Sequence, residues 1–316
     1  MTAVRIAALS GGVGGAKLAL GLDRVLAAGE LLVVVNTGDD FEHLGLSISP
    51  DIDSVIYALA ACENPVMGWG RADETWTFMA ALEELGGPVW FRLGDKDLAV
   101  HTLRTASLRA GVSLSEVTGE IARRFGIATQ VLPMSDDPVR TRLLTREGWI
   151  DFQEYFVKRR CEPAVHELSY EGASGAKAAP GLSETLRAEL DAILICPSNP
   201  YLSIDPILAI PEIRSALESA TVPVVAVSPI IGGHAVKGPT AKIMSELGLE
   251  CSVEAVAQHY GELIDGFVID ERDRASAAAI ETMGIASGVT NTLMTSLSDR
   301  CALANWLLGF AEALRR

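Results

Sequence analysis

The amino-acid sequence predicts an α/β protein: a doubly wound, Rossmann-like and mostly parallel sheet with an inserted, mainly helical subdomain. Three observations carry that reading. Strand-like and helical stretches alternate at both ends of the chain. The apolar runs are continuous, the pattern of strands covered on both faces. A glycine-rich turn separates the first strand from the first helix, where open parallel sheets receive ligands.

In chain order, the run Val4 to Leu9 reads as a strand, followed by Ser10-Gly11-Gly12-Val13-Gly14-Gly15-Ala16-Lys17 and a helix from about Ala16 to Ala28. Leu31 to Val35 is a second strand, ending in Asn36-Thr37-Gly38-Asp39-Asp40. Ser49-Pro50-Asp51 then reads as N-cap, N1 proline and first-turn acid of a helix through Ala61. The stretch from about Asp73 to Gly126 is mostly helical in pattern, with Ser113 and Glu116 forming a capping box. Residues Val131 to Leu168 mix short strands and turns, and Ala173 to Pro180 reads as an exposed loop. A second alternation follows. Strand Ala192 to Cys196 runs into Pro197-Ser198-Asn199-Pro200, and strand Val222 to Val227 runs into Ser228-Pro229-Ile230-Ile231-Gly232-Gly233. A helix from near Pro239, a strand at Gly266 to Asp270 and C-terminal helices complete it. One domain over 1–316 is expected, its core at about 1–62 and 182–316 and its insertion at about 63–181.

Composition narrows the function. Lys+Arg number 26 against Asp+Glu 41, a net charge of −15, so no global basic field exists to grip nucleic acid or anionic lipid. A hydrophobic content of 49% excludes a disordered chain. The 5 cysteines are scattered without a C-x-x-C pair, and the 5 histidines show no paired spacing, so neither a disulfide framework nor a zinc centre is expected. The chain enters directly on an apolar strand and contains no bilayer-length apolar run. A cytoplasmic protein is the expectation.

Any anionic ligand must therefore be held locally. The glycine run of Gly11, Gly12, Gly14 and Gly15, with Lys17, sits at a helix N-terminus, where free amides favour phosphate. It satisfies neither a Walker A loop, because Ala16 and Leu18 flank the lysine, nor the dinucleotide fingerprint, because Lys17 occupies the last glycine position. Asp39 and Asp40 close the second strand, placed for a hard cation or a sugar hydroxyl. Asp51 reads as a helix-dipole acid, leaving Asp53 to point elsewhere, toward the cleft. Arg92 and Lys96 stand at a helix start, where cations need a further reason such as an anionic ligand. Ser198-Asn199 and the 231–239 loop, with His234 and Lys237, follow strands directly and complete a cleft, while Asp136-Asp137 reads as a capped turn.

Together these segments resemble the 2-phospho-L-lactate transferase (CofD-like) family of coenzyme F420 biosynthesis, in its bacterial branch. The resemblance rests on SGGVGGAK, NTGDD, SPDIDSVIY, WGRADETW, RLGDKDLAVHTLR, LPMSDDPV, CPSNPYLSIDPILAIP, SPIIGGHAVKGPTAK and DERDRA, in order from Ser10 to Ala275. It implies transfer of a phospho-three-carbon acid, 2-phospholactyl or phosphoenolpyruvyl, from a guanosine-diphosphate-linked donor to the ribityl hydroxyl of the deazaflavin Fo. GMP leaves, Mg²⁺ is required, and a homodimer is usual. By motif, Asp53 and Arg92 match positions that contact Fo. Asp39 and Asp40 match the region of the metal or the reacting hydroxyl. The glycine loop with Lys17, and Ser198-Asn199, would face the donor nucleotide. Arg92 stands where some members carry lysine, which keeps the charge and changes the geometry. The alternatives are an NAD-dependent or nucleotide-sugar oxidoreductase and a nucleotide-sugar-binding regulator of the gluconeogenesis-factor type.

Overall fold

The computed structural model describes residues 5–65, 69–235 and 238–315. Seven parallel strands form its central sheet: β1 (Ile6–Ser10), β2 (Leu31–Val35), β3 (Gln130–Pro133), β4 (Ala192–Ile195), β5 (Val224–Val227), β6 (Gly266–Asp270) and β7 (Ala286–Thr290). Their spatial order is β7-β6-β5-β4-β1-β2-β3. Strands β1, β2, β4, β5 and β6 are buried along their whole length, as continuous apolar runs require when helices cover both faces. Two apolar layers result, one on each side of the sheet: Leu9, Val34, Ile195 and Phe267 in the first, and Ala8, Val33, Leu194 and Val268 in the second.

The order of strands reverses between β1 and β4. That is the topological switch point, at whose carboxyl ends open α/β sheets form their ligand crevice. Helix α1 (Gly12–Val25) leaves β1 there, and α2 (Pro50–Leu59) follows β2 after a hairpin of Phe41–His43 with Leu46–Ile48. Helices α3 (Asp95–Arg109) and α4 (Leu114–Arg124) cover the insertion side, and the long α5 (Leu297–Leu314) packs on α1. The Ser113–Glu116 capping box forms as expected.

Three sequence expectations change. Helix α1 begins at Gly12, not near Ala16, so the glycines make up its first turn. The segment 173–180 is only partly an exposed loop: Ser174, Gly175, Lys177 and Pro180 are exposed, while Ala173, Ala176 and Ala179 are buried in the first apolar layer. Residues 130–133, placed by sequence within the insertion, supply edge strand β3 through its pairing with β2. The rest of the insertion splits into the helical stretch before β3 and a three-stranded antiparallel sheet of 140–145, 148–151 and 167–171 after it. Lys237 lies outside the described residues.

Candidate active site

A cleft of about 800 Å³ opens over the switch point. The parallel strands bring to it the glycine turn after β1, Pro197-Ser198-Asn199 after β4, Ser228 and Pro229 after β5, and Thr292-Leu293-Met294 after β7. The insertion contributes five aromatic side chains to the same lining, Trp69, Trp90, Phe91, Phe152 and Phe156. Phe152 and Phe156 stack face to face, with ring centres 5.4 Å apart. Asp39, Asp51 and Asp53 lie along the cleft, on the β2 turn and on α2.

The glycine turn owes its residue types to two different constraints. Gly12 has φ +62°, a left-handed conformation that glycine adopts without penalty. Gly14 packs against the Pro197 carbonyl and Gly15 against the Ser10 and Ser198 hydroxyls, so neither site has room for a Cβ. Gly11, Gly12, Gly14 and Lys17 border the cleft, and Gly15 does not. Ser198 latches the turn: its Oγ donates to the Gly11 carbonyl at 2.7 Å and accepts from the Gly11 amide at 3.2 Å. Lys17 Nζ donates to the Met294 carbonyl at 3.0 Å. Asn199 borders the cleft, but its Oδ1 caps the next helical turn through the Tyr201 and Leu202 amides, and its Nδ2 donates to Thr240.

The carboxylates divide differently from the sequence expectation. Asp39 borders the cleft, whereas Asp40 lies behind it, accepting from Ser49 Oγ at 2.8 Å and leaving Oδ1 buried without a partner among the described residues. Asp51, which reads in sequence as a dipole acid, faces the glycine turn; Gly11 has no room for a Cβ beside its Oδ2. Asn36 Nδ2 donates to Asp51 Oδ2 at 3.0 Å and to Asp39 Oδ1 at 3.4 Å, and Gln153 Nε2 donates to Asp39 Oδ2 at 3.3 Å. Burial pushes Asp39 well above the usual carboxylate range, and the negative neighbours Asp51 and Asp40 push it further. Burial raises Asp40 to about 7, opposed by Arg140 and Ser49. It raises Asp51 to about 6, opposed by the Asn36 amide and the Gly12 N–H.

Asp53 points the other way, into a bidentate ion pair with the fully buried Arg104 of α3: Nη1 donates to Oδ2 at 3.0 Å, and Nη2 to Oδ1. His101, Asp97 and Tyr57 surround this pair. Arg92 borders the cleft with its guanidinium 4.4 Å from the Trp76 ring centre. The fold thus gathers Asp39, Asp53, Arg92, Gly11, Gly12, Gly14, Lys17, Ser198 and Asn199 on one cleft, with Asp40 and Gly15 just behind its surface. Sequence reasoning passed over Asn36, Gln153, His101 and Arg104. The i, i+3 spacing of His101 and Arg104, two polar residues on one face of a helix, was the available signal. Asp136 caps the start of α4 through Ser115, and Asp137 accepts from the Lys177 amide, in keeping with the capped-turn reading.

A parallel sheet with this switch point, a glycine turn at its centre and carboxylates buried beside it defines a Rossmann-like α/β protein whose ligand lies across the strand ends. Residues 6–288 match the family model described as 2-phospho-L-lactate transferase CofD. A phosphoenolpyruvate transferase of Kitasatospora aureofaciens is 44% identical, with 99% of both chains aligned. A 2-phospho-L-lactate transferase of Methanosarcina acetivorans is 41% identical over 97% of this chain and 99% of its own. The crystal structure of a UPF0052 family member from Bacillus halodurans superposes with a TM-score of 0.63, covering 98% of this chain and 99% of its own at 14% identity, a likeness of fold. The chain belongs to the CofD family, and it is a transferase of coenzyme F420 biosynthesis. The oxidoreductase and regulator alternatives fall with that membership. No helix among the described residues is long and apolar enough to cross a membrane.

Proposed function

We propose that this enzyme moves a phosphoenolpyruvyl or 2-phospholactyl group from a guanosine-diphosphate-linked donor to the ribityl hydroxyl of Fo, releasing GMP. The observation that carries the proposal is the mixed lining of the cleft. A glycine turn at a helix N-terminus, aromatic side chains of the insertion and the carboxylates Asp39, Asp51 and Asp53 all line one cleft. The amides of the turn and Lys17 suit a diphosphate. The aromatic side chains suit a flat tricyclic ring, which stacks on such groups. Five transferases among the similar proteins carry the phosphoenolpyruvate name, one of them at 44% identity, which favours phosphoenolpyruvyl as the group moved.

Mg²⁺ fits the carboxylates. Asp39 and Asp51 are buried, repel one another and are raised by burial, a situation that a divalent cation relieves. No cluster of three or more His, Cys, Asp or Glu side chains able to hold a metal occurs among the described residues. Asp39 and Asp51 would hold the ion, since Mg²⁺ is ordinarily bound through one or two carboxylates together with substrate phosphates and water. When bound, the cation would neutralise charge on the diphosphate.

The chain's own residues do the rest. Asn36 and Gln153 orient Asp39, and the first turn of α1 holds the phosphates of the leaving nucleotide. Asp53, held by Arg104, accepts a hydrogen bond from the acceptor chain, and Arg92, held by Trp76, faces the acceptor. Asp40 supports the turn that carries Asp39. No nucleophilic serine or cysteine is needed, since the acceptor hydroxyl attacks phosphorus directly. Incubation with Fo, the guanosine-diphosphate-linked phospho-acid and Mg²⁺, followed by product mass, tests the reading and names the acid. Absence of both GMP and a heavier deazaflavin overturns it.

A further inference from the structure

We infer that Asp270 and Asp273 are positioning residues for the donor, each seating one of the two loops that flank β6. The inference rests on the transferase reading above and names what holds its nucleotide side. Strand β6 lies between β5 and β7 in the sheet. The loops after β5 and β7 border the cleft, with Ser228, Pro229 and Ile231 from one and Thr292, Leu293 and Met294 from the other. Among the described residues, none of the segment leaving β6 borders it. That segment is the DERDRA motif, a tight helical turn over Glu271–Ser276 capped by Asp270. Its acids reach sideways instead.

Asp270 is 2% exposed. Its Oδ2 accepts from the Thr292 amide at 2.9 Å and the Thr292 hydroxyl at 3.2 Å, while Oδ1 accepts from the Arg272 amide at 3.1 Å. Two residues on, the Met294 carbonyl accepts from Lys17 Nζ, so the loop that Asp270 seats meets the helix of the glycine turn. Asp273 acts on the other neighbour. Ile230–Ile231 and His234–Ala235 form a hairpin whose tip residues, Gly232 and Gly233, have φ +59° and +74°. Left-handed backbone at both positions is the tight hairpin turn that favours glycine. The hairpin pairs with no third strand, so it has little stability of its own. Asp273 grips its tip: Oδ2 accepts from the Gly232 amide at 2.8 Å and Oδ1 from the Gly233 amide at 3.2 Å. An ionised acceptor on two consecutive amides fixes position and tilt together. From the hairpin the chain returns to the cleft at Gly238, Pro239 and Thr240.

Strand order names the substrate that these loops meet. Strands β4, β5, β6 and β7 run outward from β1 on the side opposite β2, whose turn carries Asp39. With phosphates on the glycine turn after β1, the transferred group lies toward β2 and the nucleoside lies over the ends of β4, β5 and β7. Pro229, Ile231 and Leu293 give that region apolar surface for a base. Both acids are engaged with backbone amides outside the cleft lining, so each acts through the loop it holds.

The test measures GDP affinity by calorimetry with Mg²⁺, and the KM of each substrate, in wild type, Asp273→Ala, Asp273→Asn and Thr292→Val. Asp273→Ala is expected to weaken GDP binding and raise the donor KM by about tenfold to a hundredfold, the scale of a misplaced binding loop, with the KM for Fo unchanged. Asp273→Asn keeps one accepting oxygen and should recover part of that loss. Thr292→Val removes one hydrogen bond to Asp270 and should cost up to about tenfold on the donor alone. It leaves Asp270 in place, which keeps the second loop testable where replacing this buried acid unfolds the chain. The proposal is overturned if GDP affinity and donor KM stay at wild-type values in the folded variants. It is equally overturned if the KM values for donor and Fo rise alike, the mark of a general loss of shape. GDP binding without Fo turnover in wild type overturns the transferase reading alone, and the GDP affinities of the variants then decide the role of the two acids. Absence of GDP binding in wild type overturns both.

Discussion

Asp39 and Asp51 share one donor: the Asn36 side-chain amide reaches Asp51 at 3.0 Å and Asp39 at 3.4 Å. Two carboxylates drawn onto one amide in a buried wall keep a residual repulsion that a cation relieves. The metal-free enzyme is therefore expected to gain thermal stability on adding Mg²⁺. Asp51→Asn and Asp39→Asn should lose that gain and at least about 10²-fold in kcat. Calorimetric melting with and without Mg²⁺ is the measurement. Equal gains in wild type and both variants would exclude the pair as the cation site.

Asp40 gives the pH prediction. Its folded-state value of about 7 lies above the ordinary carboxyl value of 3.8, so between those pH values the native state holds a proton that the unfolded chain has released. Stability from this group is thus complete below about pH 4 and is lost as pH rises through 7. Asp51, at about 6, adds a change of the same sign. In chelator, Asp40→Asn should melt higher than wild type at pH 8, and the two should converge toward pH 4. The expected gap at pH 8 is of the order of a few kcal/mol. Because Asp40 lies behind the cleft, its variant should keep far more activity than Asp39→Asn. A collapse as deep as that of Asp39→Asn would place Asp40 among the reacting groups.

The glycine turn makes separable demands. Gly14→Ala drives a methyl into the Pro197 carbonyl, backbone that has no side-chain freedom to yield. About 1–3 kcal/mol of stability should go, seen as a lower denaturant midpoint. Gly12→Ala meets only ordinary contacts but sits at φ +62°, so about 1 kcal/mol is expected from backbone strain. A reversal of that ranking would mean the turn relaxes around Gly14.

Arg92 stacks on Trp76 at 4.4 Å, a contact that a lysine ammonium reproduces poorly in planar form. Arg92→Lys and Trp76→Ala should each raise the KM for the acceptor by roughly twofold to tenfold, the range of a partly exposed cation–π contact. The KM for the donor should not move. Steady-state titration of each substrate separates these effects, and a matched rise in both would argue for a general loss of shape.

Arg104 and Asp53 form a buried pair whose halves lie on different helices. Arg104→Met removes the cation and leaves Asp53 with a buried charge, so about 3–5 kcal/mol of stability should be lost. Asp53→Asn with Arg104→Met should recover part of it. A double-mutant cycle by denaturant melting reads the coupling, and additive losses would deny the pair its structural role.

The sequence by itself determined the alternation of elements, the parallel character of the strands and the acidic surface. Each follows from local periodicity, from continuous apolar runs such as Leu31 to Val35, or from composition. It also located the glycine turn, the β2 acids and Asp53, because chemistry at strand ends and helix starts leaves residue-type signals nearby. Only the tertiary structure decided which acids meet. Asp51 faces the glycine turn and Asp40 does not reach the cleft, a matter of how α2 docks on α1 and β2. Residues 130–133 joined the sheet because β2 offered an unpaired edge, a fact invisible in so short a run. The His101–Arg104–Asp53 contact spans two helices some fifty residues apart in the chain. Spacing within one helix tells which side chains share a face, and packing of that face on another element decides what they touch.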